Sequence, residues 1–490
     1  MQNRPGQLFV FIALACFIAP LTVVHGADAE PDEAIALQVE NSILRSSAAG
    51  SAKIQAGVSE GVVTLSGKVD NLSASKQAAR LARRVAGVRS VVNQIVVEPT
   101  EVPDERLRRR AVKQLANDIS FDASKVKVDI EGGKATLNGT VDSRAEGRLV
   151  EDKIAGLGGI RQIENNLEVA ARKLRSDPEM QEIVSQLIDN SAILDESEIE
   201  VSVEDGVVKL DGAVDNLSQK DEAAQLASIS GVSRVDGEGL LAEKRTSDGT
   251  RRRDRFESLT DQKIEDAIQL GIENHPMLVA VADRIDTSVE EGVVTLTGEV
   301  GRVSMKEAAA EVARNTVGVQ GVENGIEVQW PGEPPSDQEI VKNLRSVFQV
   351  DAYLGDAEII PRVRESHVHL FGAVGSPFEK RRAGSIAGSQ PGVVHVANSL
   401  AVMDEGEPQP DEQIEETIRE ELEMLGSDPH VKVNVRVKDG VPVFTGRVAT
   451  WFQWQALLRI AEDAGARRPH VDVDVHYRPA GASDGLYVPQ

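Results

Sequence analysis

The sequence predicts an α+β fold: a tandem array of six small αββαβ modules, each a three-stranded sheet with two helices on one face. Three observations predict it. The segment Glu60-Gly61-Val62-Val63-Thr64-Leu65-Ser66-Gly67-Lys68-Val69 returns, lightly edited, at 205–214 and 291–300, and in diverged form at 133–141, 368–374 and 440–448. Its marker glycines, Gly67, Gly139, Gly212, Gly298, Gly372 and Gly446, stand 72, 73, 86, 74 and 74 residues apart. Ahead of each copy an aspartate opens an amphipathic series, and each unit closes with a glycine and a short strand. A fixed internal period of this length marks a repeat architecture.

The elements follow in order. Asp32 precedes Ile35, Val39 and Ile43, apolar at every fourth position, which predicts an amphipathic helix with an aspartate N-cap. Asp104, Asp177, Asp261, Asp337 and Asp411 open the same series in the other modules. An alternating strand comes next, clearest as Ile199-Glu200-Val201-Ser202-Val203, then an acidic-Gly or Gly-Gly turn and the motif strand. That combination is a hairpin signal. Period two aims Val63, Leu65 and Val69 at the helices and Thr64, Ser66 and Lys68 at the opposite, wetter face. Asn71-Leu72-Ser73 and Asn216-Leu217-Ser218 then lead into alanine-rich helices, 76–85 and 220–229. Both triplets match the glycosylation acceptor pattern, but Ser218 with Asp221 approximates a capping box, and the capping reading is preferred. The closing strands are seen in Gly87 to Val97 and Gly318 to Val328. Helices gathered on one face of a small sheet give an α+β sandwich.

The modules span 32–98, 102–171, 176–243, 260–330, 336–403 and 411–478, with a linker at 244–259 and a tail at 479–490, so no large catalytic domain fits. Modules of this size bury only about 60% of the surface their unfolded chains expose, so each leans on a neighbour or a partner. With 3% aromatics, the cores must be built from Val, Ile, Leu and Ala. Residues 1–27 read as a secretory signal peptide: Arg4, an apolar run from Leu8, then small-residue cleavage options at Gly26 and Ala27. The run is too short for an uncleaved anchor. The single cysteine, Cys16, sits in Ala13-Leu14-Ala15-Cys16, which has the look of a lipoprotein box, but Ala13 stands where an aliphatic residue belongs and the apolar run continues beyond. The expected location is therefore the periplasm or the exterior, without lipidation. A mature chain lacking cysteine has neither disulfides nor thiolate metal sites.

A formal charge of −25 and 79 acidic residues disfavour long-range attraction to DNA, RNA or an anionic bilayer. The basic stretch Lys244 to Arg255 reads first as a solvated linker and second as a contact for lipid phosphates. Arg106 and Arg108-Arg109-Arg110 read as the outer face of a helix, and the proline-rich joints at 331–335 and 407–410 as semi-rigid spacers. His367, His369, His395, His430, His470 and His476 crowd the last two modules. No carboxylate or cysteine spacing makes them a metal site, and a polar outer face is the preferred reading. Trp451, Phe452 and Trp454 open a helix of the last module, where they either anchor to an interface or partner or pack in a terminal core. Gly237-Glu238-Gly239 opens no helix, and no phosphate loop, nucleophile elbow or paired-histidine zinc helix occurs. Neither an enzyme nor a cofactor is expected. The candidate partner surface is the outer strand face, carried by Thr64, Ser66, Lys68, Lys209, Thr295 and Thr297, together with Trp451 and Trp454.

The αββαβ order, the Gly61 to Val69 motif and the Gly87-Val88 to Val91-Val92-Asn93 segment resemble BON domains, small modules of secreted and envelope bacterial proteins. The resemblance is strongest in the first, third and fourth modules; the fifth has Arg364-Glu365-Ser366 in place of the hairpin glycine, and the sixth has Pro442 in its motif strand. It implies a noncatalytic module that binds phospholipid or envelope surfaces and serves in osmotic or envelope stress protection. Alternatives are a periplasmic chaperone or scaffold for secreted or outer-membrane proteins, and potassium sensing.

Overall fold

Every copy of the motif becomes the central strand of one module, and six modules share one order of elements. The computed structural model describes residues 32–46, 54–116, 123–141, 144–170, 175–194, 197–242, 259–330, 332–403, 410–424, 432–466 and 469–475. The expected leader with Cys16, Gly26 and Ala27, the linker up to residue 258, His430, His476 and the tail lie outside the described residues. The first helices are α1 (Asp32–Arg45), α3 (Asp104–Ala116), α5 (Asp177–Asp189), α7 (Asp261–Asn274), α9 (Asp337–Val350) and α11 (Asp411–Met424). The second helices are α2 (Leu72–Arg84), α4 (Arg144–Ala155), α6 (Leu217–Leu226), α8 (Val303–Arg314), α10 (Pro377–Gly388) and α12 (Trp451–Asp463).

In each module the motif strand pairs antiparallel with the strand before it and parallel with the closing strand, so the hairpin and the crossover helix build one sheet with the motif in the middle. Val63 thus sits between Val58 and Val91. Its inward neighbours Leu65 and Val69 are buried with it against Ile35, Val39 and Ile43 of α1 and Ala74, Ala78 and Ala82 of α2. Burial of aliphatic side chains of this size contributes about 1.5–3 kcal/mol each, and the short alanines let α2 lie close on the sheet.

The marker glycine answers a close approach of two backbones. At Gly298 φ is +117°, and a Cβ there would stand 2.0 Å from the Arg284 carbonyl oxygen on the paired strand. Gly139, Gly212, Gly372 and Gly446 repeat this approach, with 1.9 Å at Gly212 and 1.8 Å at Gly372. No side chain fits so near a backbone oxygen, which is why this one residue type persists where the rest of the motif drifts.

The aspartates that open the first helices are not N-caps, as the sequence suggested. Where caps are defined they are the preceding Ser176, Thr260 and Ser336, and the aspartate is the first helical residue. Its carboxylate reaches across to the hairpin. Asp32 accepts the N–H groups of Glu60 and Gly61 at 2.8 and 3.0 Å, and Asp104, Asp177, Asp261, Asp337 and Asp411 do the same in their own modules. The turns hold positive φ at both central residues, 53° at Glu60 and 74° at Gly61, the twist a two-residue hairpin needs. Module 5 keeps the turn without glycine, placing Ser366 at φ 63°. Module 6 keeps its strand through Pro442, and pairing with the closing strand begins only at Val443 opposite His470, next to a second proline, Pro469.

The modules are not beads on a string. Leu72, at the start of α2, packs on the core of module 2, and Ser73 Oγ donates to the Ala155 carbonyl at 3.0 Å. Arg144 and Arg148 of α4 reach the Ser233 carbonyl and Ser228 Oγ in module 3. Leu217, opening α6, returns to fill the core of module 1 and closes a ring. Modules 4 to 6 repeat the circuit: Val303 packs on module 5, Arg381 pairs with Glu462 and Asp463 of module 6, and Trp451 packs on module 4 with its N–H on the Val319 carbonyl. Modules flanking the proline-rich joints therefore touch directly rather than being held apart.

Charge at one repeated place orders each ring. The fifth residue of the second helix is Lys76 in α2, pairing with Glu151 and Asp152; Asp221 in α6, pairing with Arg83; and Arg381 in α10, pairing with Glu462 and Asp463. The two rings are joined by antiparallel bridges, Leu157 with Asp351 and Ser191 with Thr316, that link module 2 to module 5 and module 3 to module 4. In both, the segment following a second helix meets the segment following a first helix. Between the rings lies a cavity of about 900 Å³ whose lining includes Arg148, Glu222, His275, Glu311 and Arg459.

Candidate functional site

The contacts between modules run chiefly through helices and the segments that follow them, which leaves the strand faces opposite the helices to solvent. In module 1 this face is uncharged over most of its breadth: Ser66 stands opposite Gln55, and Thr64 lies between Gly57 and Val92. Lys68, at its edge, pairs with Glu98 at 2.9 Å, an exposed contact of little net worth. In module 3 Lys209 lies between Ser202 and Asp236 and pairs with Glu204 at 3.3 Å. In module 4 Thr295 lies between Ser288 and Glu323, and Thr297 opposite Asp286, so that face is acidic. The expected surface residues thus gather within modules but not across them, and equivalent positions carry different chemistry. Trp451 and Trp454 are not on a strand face. They stack on each other at 4.6 Å, both half-buried, with Trp451 committed to the ring contact.

The face of module 5 differs from the others. Its motif strand, His367–Val374, turns His367, His369 and Phe371 outward, and the paired strand, Glu358–Arg364, sets Arg364, Arg362 and Ile360 beside them in register. His395 of the closing strand lies next to His367, ring centroids 5.7 Å apart. His369 stacks on Phe371, and the Arg362 guanidinium lies 5.4 Å from the Phe371 ring. His367 Nδ1 donates to the Glu365 carbonyl at 2.8 Å. Burial, then His367 and His369, holds His395 below the ordinary histidine range. Sequence reasoning singled out the histidines but passed over Ile360, Arg362 and Phe371, although the alternation Ile360, Arg362, Arg364 already set them on one face. Among the described residues no group of three or more His, Cys, Asp or Glu side chains is placed to hold a metal ion.

The inter-ring cavity was also missed, since it needs residues of four modules. Burial, reinforced by Glu311, raises the Glu222 carboxyl to about 7, while Arg148 opposes the shift. Burial lowers His275 to about 4, and its Nδ1 accepts the Met277 N–H at 3.2 Å.

Fold and surface together define an array of small α+β modules whose variation is concentrated on outward strand faces. The chain belongs to the BON domain family, whose model matches residues 31–99, 103–171, 176–238, 260–329, 336–404 and 410–476, as the motif implied. It is 28% identical over 145 residues to osmotically-inducible protein Y of Escherichia coli (strain K12), a match covering 28% of this chain and 72% of that protein. Solved structures of CdsD, a structural protein of the type III secretion system of Chlamydia trachomatis, match 47% and 48% of the chain at 13% and 12% identity, covering 100% and 96% of their own length. Their TM-scores of 0.13 carry no argument. No helix among the described residues is long and apolar enough to cross a membrane.

Proposed function

We propose that this is a noncatalytic protein of the bacterial envelope that binds envelope components through its outward strand faces and serves in osmotic or envelope stress. The observation that carries the reading is the arrangement itself: the helices are used up in joining modules, and the strand faces remain free. Kinship with an osmotically inducible protein supports the physiological setting. Several weak sites on one closed body gain by multivalency when they reach one surface together. Co-sedimentation of the mature chain with a native envelope fraction tests the reading; recovery of all the protein in the supernatant would sink it.

A chaperone or scaffold role is favoured by a second observation. The first strand of every module is a sheet edge, and although first-helix side chains hold some of its backbone groups, as Glu40 holds the Ala56 N–H, Arg108 the Ile130 carbonyl and Glu415 the Val437 N–H, an edge is where an extended chain can join. Suppression of aggregation of an unfolded outer-membrane protein is the corresponding assay, and no effect at stoichiometric excess removes that role.

A further inference from the structure

Six charged side chains on the wall of the cavity between the rings have no ion-pair partner among the described residues: Arg148, Glu222, Glu307, Glu311, Arg314 and Arg459. They come from four second helices, two in each ring: α4 and α6 in the first, α8 and α12 in the second. Glu307, Glu311 and Arg314 follow one face of α8 at helical spacing. The other acids of the wall are engaged, Asp152 with Lys76 and Glu146 with a partner of its own. Elsewhere between modules opposite charges close into pairs, as Arg83 does on Asp221 and Arg381 on Glu462. Here they stand within electrostatic reach but apart, around a volume of about 900 Å³. Beyond the effect of burial, Glu311 raises the Glu222 carboxyl and Arg148 lowers it, and Glu311 favours the charge on Arg459. Arg148 is held in place: its Nη2 donates to Ser228 Oγ at 2.8 Å, and that hydroxyl donates to the Ala224 carbonyl at 2.6 Å. Charges largely surrounded by protein and without a charged partner carry a desolvation cost, which a ligand of matching charge recovers.

We propose that the cavity between the rings binds a small zwitterion of amino-acid to dipeptide size, with its primary ammonium between Glu222 and Glu311 and its carboxylate on Arg148. The site is apart from the strand faces and does not depend on the envelope-binding reading. Both signs on the wall decide the class. A simple cation would suit the carboxylates but meet the guanidinium groups beside them, and a simple anion the reverse, whereas a zwitterion pairs with both and leaves the net charge unchanged. Phe452 and His275 are the aromatic rings on the wall among the described residues, too few to cage a quaternary ammonium. Carboxylates accept N–H donors, so the cation is a primary ammonium. The volume lies near the upper end of the range for small-molecule sites, about 300–1,000 Å³, which suits a dipeptide better than a bare ion. Ser191 and Thr316, whose antiparallel bridge joins the rings, line the same cavity. An occupant that touches both rings therefore tightens that joint.

Titration calorimetry of the full-length mature chain at neutral pH with alanine and with alanyl-alanine tests the proposal. Saturable binding is expected, tighter for the dipeptide. N-acetyl-alanyl-alanine lacks the cation and alanyl-alaninamide the anion, and each should bind about tenfold more weakly or worse. Glu311→Gln and Arg148→Gln should lower affinity for alanyl-alanine by about the same factor, and Arg148→Lys, which keeps the charge, should retain part of it. Melting curves without ligand check that the variants fold. Hydrogen exchange supplies a readout at the joint. The Ala192 and Val317 N–H groups donate across it to the Asn315 and Asn190 carbonyls at 2.7 and 2.9 Å, and both should exchange more slowly when alanyl-alanine is bound. No heat and no change in exchange with alanine or alanyl-alanine at millimolar concentration would overturn the proposal. Equal affinity for the blocked dipeptides, or the same response to potassium chloride alone, would overturn the zwitterion. Wild-type affinity in both Glu311→Gln and Arg148→Gln would overturn the site. None of these results touches co-sedimentation with the envelope, so the two readings fail separately.

Discussion

The backbone of Asp351 joins the two rings, and removing the charge of its side chain should loosen the part of module 5 that carries the joint. Its side chain is 4% exposed and receives Arg382 through three contacts: Nε to Oδ1 at 2.8 Å, Nε to Oδ2 at 3.0 Å, and Nη2 to Oδ2 at 2.6 Å. The Tyr353 N–H adds a fourth at 3.1 Å, and the backbone of Asp351 bridges to Leu157 of module 2. Taking one partner from a buried pair strands the other and costs about 3–5 kcal/mol. Arg382 retains 23% exposure and can turn toward water when Asp351 is neutralised, so Asp351→Asn should cost less, about 2 kcal/mol. Arg382→Met leaves a carboxylate with nowhere to go and should cost about 4 kcal/mol. Once one partner is gone the second substitution has little left to break, so the double variant should fall short of the sum by about 2 kcal/mol. Urea unfolding at pH 7, followed by far-ultraviolet circular dichroism and by tryptophan fluorescence, measures all three. Single variants within 0.5 kcal/mol of wild type, or strictly additive costs, would refute the claim that this pair, internal to module 5, fixes the segment whose backbone bridges to module 2.

Gly298→Ala places a Cβ 2.0 Å from a backbone oxygen at φ +117°, and module 4 should lose about 3 kcal/mol or more; unchanged thermal stability would contradict the close-approach account. Ser366→Gly relieves a left-handed serine and should stabilise by about 1 kcal/mol in the same thermal assay. Glu222→Gln bears on pH. The native carboxyl, raised to about 7 from a usual 4.5, holds its proton while the unfolded chain releases one, so wild-type stability falls between pH 4.5 and 7. The glutamine variant should match wild type at pH 4.5 and exceed it by about 3 kcal/mol above pH 7, which melting curves at the two pH values decide. Asp261→Ala removes the acceptor for the Glu291 and Gly292 N–H groups and should cost about 1–2 kcal/mol, with faster hydrogen exchange at that hairpin as its local signature.

The module was legible because its signals are local: period two in Val63, Leu65 and Val69, period four in Ile35, Val39 and Ile43, and a glycine no other residue can replace. The aspartate that opens each first helix was seen, but its role was not, since its partners lie on a hairpin nearly thirty residues away and capping was the nearer explanation. The rings were invisible for a related reason. Leu72, Leu217 and Trp451 look like ordinary starts of helices, and only the assembled structure shows that each completes a core belonging to another module. The outward strand face was legible in part. Alternation gave its direction, and Thr64, Ser66 and Lys68 lie where expected, but the contrast between modules 4 and 5 emerges only when three strands are brought into register.

Leu217 completing the core of module 1 has a consequence for how the chain comes to be folded. Synthesis delivers module 1 first, yet its core stays open until module 3 is made. At about 5–20 residues per second, the stretch from residue 98 to 217 takes on the order of ten seconds. During that wait the apolar surface meant for Leu217 faces water, and module 4 waits in the same way for Trp451. The nascent chain therefore carries two successive openings, each closed by the last member of its ring, and the intervals between them are when the protein is most exposed to misassembly or capture.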